Sequence, residues 1–298
     1  MSLTDDVRAA AARVAAEARH VCIVDQAIEP YAAALPADSP PGPDLEDASL
    51  EERAAFVLTL NAINFGSGWF PTLRKKPGMS GFRTVEAGLR DHGPFTADEL
   101  AAMTPATIAE AVGQDPGHEL MGLFATHLRE LGERVRDEHD GAFLALARSG
   151  DGSATALAEH VGSWPTWRDV SRYGDEEVPF YKRAQIAAAD LALAGIAPAD
   201  DLADLTLFAD NLVPHVLRID GVLEFDPDLV ARIEGEQLIE HDSPEEVEIR
   251  ACALHAVERL VQAHGATTAT AVDYVLWTRG AGARYKAHPR HRARTSDY

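Results

Sequence analysis

The sequence predicts an all-α protein, either a single helical domain or two helical lobes packed intimately together. Three observations carry that expectation. Apolar residues recur three and four positions apart rather than alternating. Ala, Leu, Glu and Arg, all good helix formers, dominate the chain. Strand and helix patterns nowhere alternate in the βαβ manner that a parallel sheet requires. With 298 residues, 46% of them hydrophobic, the chain can bury a sizeable core and is too apolar for global disorder.

Taken in order, residues 4–20 and about 23–35 read as two helices, followed by a Pro-rich loop from Pro36 to Pro43. Ser49 and Glu52 have capping-box spacing and open a helix through Asn64, which Gly66-Ser67-Gly68 breaks. Thr96 and Glu99 repeat the capping pattern. A longer helical stretch from about His118 to Arg148 is expected to break near Gly132 or Gly141. Ser153 starts a short helix, Pro179 sits where a helix could begin, and 180–194 is strongly periodic. Two short helices flank Asn211 to Pro214 within 200–221. Pro244 suits the first turn of a helix to about His264, and a last helix over about 267–279 ends at Gly280. Short strands are conceivable only in 66–83 and 219–225.

The formal charge is −21, from 48 acidic and 27 basic residues. Duplex nucleic acid is bound by Lys and Arg that displace counterions from phosphates, so this balance argues against a nucleic-acid-wrapping function. A small molecule in a pocket is compatible with it. Cys22 and Cys252 supply neither a zinc set nor a disulfide framework and read as small buried hydrophobes. The N-terminal segment has acids where a secretory signal has basic residues. No apolar run reaches the length of a membrane span. The expected location is therefore the cytoplasm, with no membrane partner.

Walker, zinc-protease, nucleophile-elbow and dinucleotide motifs are all missing. His288 and His291 are three apart, but no thiol or carboxylate accompanies them, so neither a metal nor a cofactor is expected. What remains is a set of polar residues in apolar surroundings. Asp210 lies inside the run LTLFADNLVPHVL, where a lone carboxylate is costly unless paired, hydrogen-bonded or functional. It reads equally as a helix cap, and a cap can also face a cleft. Lys182 and Arg183 place two cations in a first helical turn, where they oppose the macrodipole and so point to an anion or an ion pair. Lys182 is also one of only four lysines. Asp273 and Trp277 share one helix face, as a base-binding pair or as core. Asn64 and Trp69 gather an amide and an aromatic at a helix end.

Several segments resemble one known family. FYKRAQIAAADL at 180–191, LTLFADNLVPHVL at 205–217, EVEIRACALHAVE at 246–258, DYVLW at 273–277 and PRHRARTSDY at the end look like the queuosine salvage family. LNAINFGSGWF at 60–70 is the best anchor in the N-terminal half. The resemblance implies one domain over 1–298, with a more variable half over about 1–150 and a motif-bearing half over about 151–298. It implies a helical fold of the DNA-glycosylase type and hydrolysis of queuosine 5′-phosphate to queuine and ribose 5-phosphate. It makes Asp210 the catalytic carboxylate. Phe208, Asp273, Trp277, Asn64 and Trp69 become candidates for the base pocket, and Lys182, Arg183 and Arg279 for the phosphate and ribose. The partner would be a small nucleotide, with no stable nucleic-acid binding. A DNA base-excision glycosylase and a non-catalytic queuine-binding helical protein are the competing readings.

Overall fold

The computed structural model describes residues 2–37, 41–43, 45 and 48–298. Helices dominate, and among the described residues the strands form only two two-stranded antiparallel sheets. Part of the Pro-rich loop, residues 38–40, lies outside the described residues. The chain makes two compact units. The first comprises Met1–Pro41, Asp169–Gln185 and Asp201–Arg294; the second comprises Gly42–Arg168, Ile186–Asp200 and Thr295–Tyr298.

The first unit is built around the helix Pro244–His264, which opens with Ser243 as N-cap and Pro244 in its first turn. It is buried on nearly every side over Glu246–Leu254, charged Glu246, Glu248 and Arg250 included. Val247, Ala251, Leu254 and Val257 pack in one core with Val7, Ala11 and Val14 of the helix Leu3–Glu17. That helix starts at a capping box between Ser2 and Asp5. The expected second helix is shorter than its pattern: Val21–Ile23 is a strand, paired with Leu223–Phe225, and the helix is Asp25–Ala33. Cys22 is thus exposed on a strand, and only Cys252 behaves as a buried hydrophobe.

A hairpin, Val170–Tyr173 with Glu176–Pro179, was not legible in the sequence. Its turn uses Gly174 at φ +60°, which only glycine adopts freely. Pro179 closes the second strand rather than opening a helix; the helix Lys182–Leu193 begins three residues later. Tyr181, between them, holds φ +50°, a left-handed conformation uncommon for a bulky side chain. The expected first helix of 200–221 reduces to a single turn, Leu202–Asp204. Residues 205–211 are not helical and lead into the helix Leu212–Ile219. The helices Pro227–Glu234, Ala269–Arg279 and Ala283–Lys286 complete the unit.

In the second unit, capping boxes at Ser49 and Thr96 open the helices Leu50–Ala62 and Ala97–Ala101 as their spacing predicts. The long helical stretch breaks at Gly141, at φ +78°, giving Glu119–Glu138 and Phe143–Ala147. Gly132 instead stays within the helix and lets the Ala97–Ala101 helix approach: a Cβ there would meet the Ala97 and Ala101 backbone at 2.6 and 2.3 Å. Phe65 meets Phe124 edge-on, 5.2 Å between ring centres. No strand forms in 66–83; a 3-10 turn, Phe70–Thr72, and the helix Gly81–His92 occupy it. The helices Pro105–Ala111 and Ala154–Gly162 complete this unit.

Candidate active site

Asp210 sits where a non-helical segment turns into a helix. Its Oδ1 accepts hydrogen bonds from the amides of Leu212 and Val213, at 2.8 and 3.0 Å. These are orphan donors of a helix N-terminus, so the carboxylate is fixed by one oxygen and favoured by the helix dipole. The cap reading is therefore correct as far as it goes. Oδ2 accepts no hydrogen bond from the described residues, and the side chain is half-buried. A carboxylate held by one oxygen and open at the other can do chemistry as well as cap.

Around it the first unit collects charges from four parts of the sequence. Lys182 is buried, and desolvation pushes its ammonium down to about 8, opposed chiefly by the negative charge of Asp210. Arg183 lowers it further, and Asp273 and Asp169 act with Asp210. Arg290 is also lowered by burial, with Asp210 as its largest opposing influence. Asp210 thus acts on both Lys182 and Arg290, and Asp273 acts on Lys182. Arg183 is fully buried beside them, and Phe208 is buried on the segment leading to Asp210. Trp277 lies one helical turn after Asp273, half-buried.

A buried ion pair holds this arrangement. Arg250 forks onto Asp169 at 3.0 and 2.7 Å, both side chains inaccessible to solvent. Its Nε donates to the carbonyl of Ala209, next to Asp210, at 3.0 Å, and its guanidinium lies 3.9 Å over the Phe180 ring. Asp169 Oδ2 accepts the Lys182 amide at 2.9 Å, and its carbonyl accepts the amides of Phe180 and Tyr181. The two backbone stretches carrying Lys182 and Asp210 are therefore tied to one guanidinium–carboxylate fork. Gln185 adds a second tie, donating to Phe180 and Thr206 and accepting the Thr206 amide.

The basic tail divides its labour. Asn211 Nδ2 donates to the carbonyl of His291 at 3.0 Å, and the Ile239 amide bonds to Arg292, which fixes the tail beside the Asp210 segment. Arg290 is delivered by that contact. Arg279 is engaged elsewhere: it donates to Tyr31 at 2.7 Å and lies 3.4 Å from Asp220, which Tyr31 and Tyr285 also bind. His288 and His291 do not pair as ligands. His288 is exposed near Glu234, whereas burial drives the His291 imidazole down to about 3. Asn64 and Trp69 belong to the second unit, where Asn64 donates to Asn61 and the Trp69 indole to Glu119, at 3.1 and 2.8 Å.

An open groove of about 770 Å³ elsewhere in the first unit, lined by Arg13, Tyr173, Glu176 and Glu248, includes none of these charges. Its buried acid, Glu248, already accepts from the Arg19, His20 and Val21 amides and from Tyr173. That groove has structure but no comparable chemistry.

Fold and site together define a largely helical protein with a clustered carboxylate–cation centre at a helix N-terminus. The queuosine salvage protein family model matches residues 44–298, and the chain belongs to that family. The chain is 36% identical to the queuosine 5′-phosphate N-glycosylase/hydrolase of Sphaerobacter thermophilus, covering 83% of this chain and 82% of that protein. It is 31% identical to the same-named protein of Dictyostelium discoideum, over 85% and 80% of the two chains. A Schizosaccharomyces pombe protein of the same name matches at 30%, over 65% of this chain and 59% of its own.

Proposed function

We propose that this protein hydrolyses the N-glycosidic bond of queuosine 5′-phosphate, releasing queuine and ribose 5-phosphate for queuine salvage into tRNA, with Asp210 as the catalytic carboxylate. The observation that carries the reading is the half-open Asp210 carboxylate, anchored through Oδ1 with Oδ2 left to act, in a chain whose relatives bear that activity in their names. Water adds across the bond. Its oxygen joins C1′, the bonding pair leaves with the base, and the base nitrogen ends protonated. The sugar passes through an oxocarbenium-like state, whose positive charge a fixed carboxylate stabilises. The same oxygen can orient the attacking water.

The leaving group shapes what the remaining residues do. Queuine is a 7-deazapurine and lacks the ring nitrogen that commonly takes a proton during purine release. Carbocation stabilisation and contacts to the remaining base edge then carry more of the barrier. Asp273, with Phe208 and Trp277, is the proposed base contact; its carboxylate also suits the cationic amine of the queuine side chain. Lys182, Arg183 and Arg290 are the cations proposed for the 5′-phosphate. Kinship to DNA-glycosylase-type helical folds belongs to the same proposal, since both chemistries free a base from a sugar. A free nucleotide suits the −21 charge better than a duplex. Among the described residues no helix is long and apolar enough to cross a membrane.

Mass analysis after incubation with queuosine 5′-phosphate, unphosphorylated queuosine and the 3′-phosphate tests the reaction and its phosphate dependence together. Equal amounts of queuine and ribose 5-phosphate are expected from the first. Failure to release queuine from any of the three would sink the proposal. Asp210→Asn keeps the cap contacts but removes the charge, and is expected to slow turnover by roughly 10²–10⁴-fold while the fold persists by circular dichroism. Undiminished turnover would remove Asp210 from its role.

A further inference from the structure

Two groups of three side chains among the described residues have the donors to hold a cation: Glu138, His139 and His160, and His241, Asp242 and Glu246. The second is already an internal network. His241 lies 3.5 Å from Glu246, and the Asp242 amide donates to the same carboxylate. The first is different. The Nε2 atoms of His139 and His160 are both buried and meet no hydrogen-bond partner in the structure. A buried polar nitrogen without a partner is costly, and two at one spot ask for a ligand.

We propose that Glu138, His139 and His160 form a structural binding site for a borderline divalent cation, Zn²⁺ foremost, independent of the Asp210 centre. One ring nitrogen of each histidine and a carboxylate oxygen of Glu138 lie within 4.8 Å of one another. Tetrahedral zinc at bonds of about 2.1 Å sets its ligands roughly 3.4 Å apart, so modest side-chain rotation closes the set. The two imidazoles stand at 85°, their centres 6.0 Å apart. Two histidines and one carboxylate, with water as fourth ligand, are donors that zinc accepts. Arg134 donates to Oε1 of Glu138, which leaves Oε2 for the cation.

Position suits the role. Glu138 is exposed and gives a path from solvent. His139 ends the helix Glu119–Glu138, and His160 lies in the last turn of Ala154–Gly162. A cation there would clamp the end of the first helix to the last turn of the second. Trp164 meets the His160 ring edge-on, 5.5 Å between ring centres.

The test uses the full chain, stripped with a chelator and titrated calorimetrically with ZnCl₂. One equivalent of saturable binding is expected, and Co²⁺ in place of zinc should give the visible absorption of a tetrahedral site. His139→Gln and His160→Gln, checked for native circular dichroism, should each weaken binding beyond the roughly 10–100-fold that a supporting contact costs. Zinc should raise the melting temperature of the parent and not of His160→Gln. His241→Ala should bind as the parent does. The proposal is overturned by no saturable binding, by unchanged binding in the His139→Gln/His160→Gln double variant, or by loss in His241→Ala.

Discussion

Burial draws the Lys182 ammonium down to about 8, and the Asp210 carboxylate is the strongest influence holding it up. Its charge is therefore present below pH 8 and lost as pH rises through that value. If the ammonium meets the substrate phosphate, kcat/KM for queuosine 5′-phosphate should fall on an alkaline limb near pH 8. Lys182→Ala should abolish that limb and penalise the monophosphate over the unphosphorylated nucleoside by roughly 10- to 100-fold, the worth of a charge-assisted hydrogen bond. Equal losses on both substrates would return Lys182 to a purely structural role. At this scale the sequence was informative where a residue broke its local pattern. Asp210 in an apolar run and Lys182 in an Arg-rich chain both stood out. Asp169 and Arg250 did not, because their partnership spans 81 positions. Arg290 was hidden among the other tail cations, and only the contact from Asn211 to His291 distinguishes it.

Helices were legible from their ends. Ser49, Thr96, Ser153 and Pro244 all begin helices within a residue of their signals, because capping chemistry is local. The hairpin 170–179 is not legible in the sequence, since four-residue strands carry too little alternation to read, and its second strand ends in a proline. What those elements do together depends on Arg250. Removing it leaves Asp169 as an uncompensated buried charge, which costs about 3–5 kcal/mol. Arg250→Met should show that loss in urea denaturation, and Asp169→Leu/Arg250→Met should recover part of it. A double variant no more stable than the single would mean that the fork does not carry the energy. Recovery will be incomplete, because Asp169 also accepts the Lys182 amide.

For the whole molecule, acid is the expected weakness. His215 is held down to about 4, mainly by burial, and His291 to about 3. Between these values and the ordinary 6.5, the unfolded chain binds protons that the folded one refuses, so stability rises with pH there and falls as pH drops. Each group contributes up to about 1.4 kcal/mol per pH unit. Denaturation midpoints between pH 4.5 and 6.5 should show this slope, and His215→Gln should flatten it by one proton; an unchanged slope would exclude His215 as a source.

The division of the chain into two units was not readable from composition, since both halves are helical. Its consequence lies in synthesis. The second unit starts at Gly42 yet includes Thr295–Tyr298, and the Tyr298 carbonyl accepts the Gly66 amide. A ribosome delivers that partner more than two hundred residues after the loop that needs it. The nascent second unit must wait with the Gly66 loop unlatched, exposed to proteases and chaperones until residues 295–298 emerge.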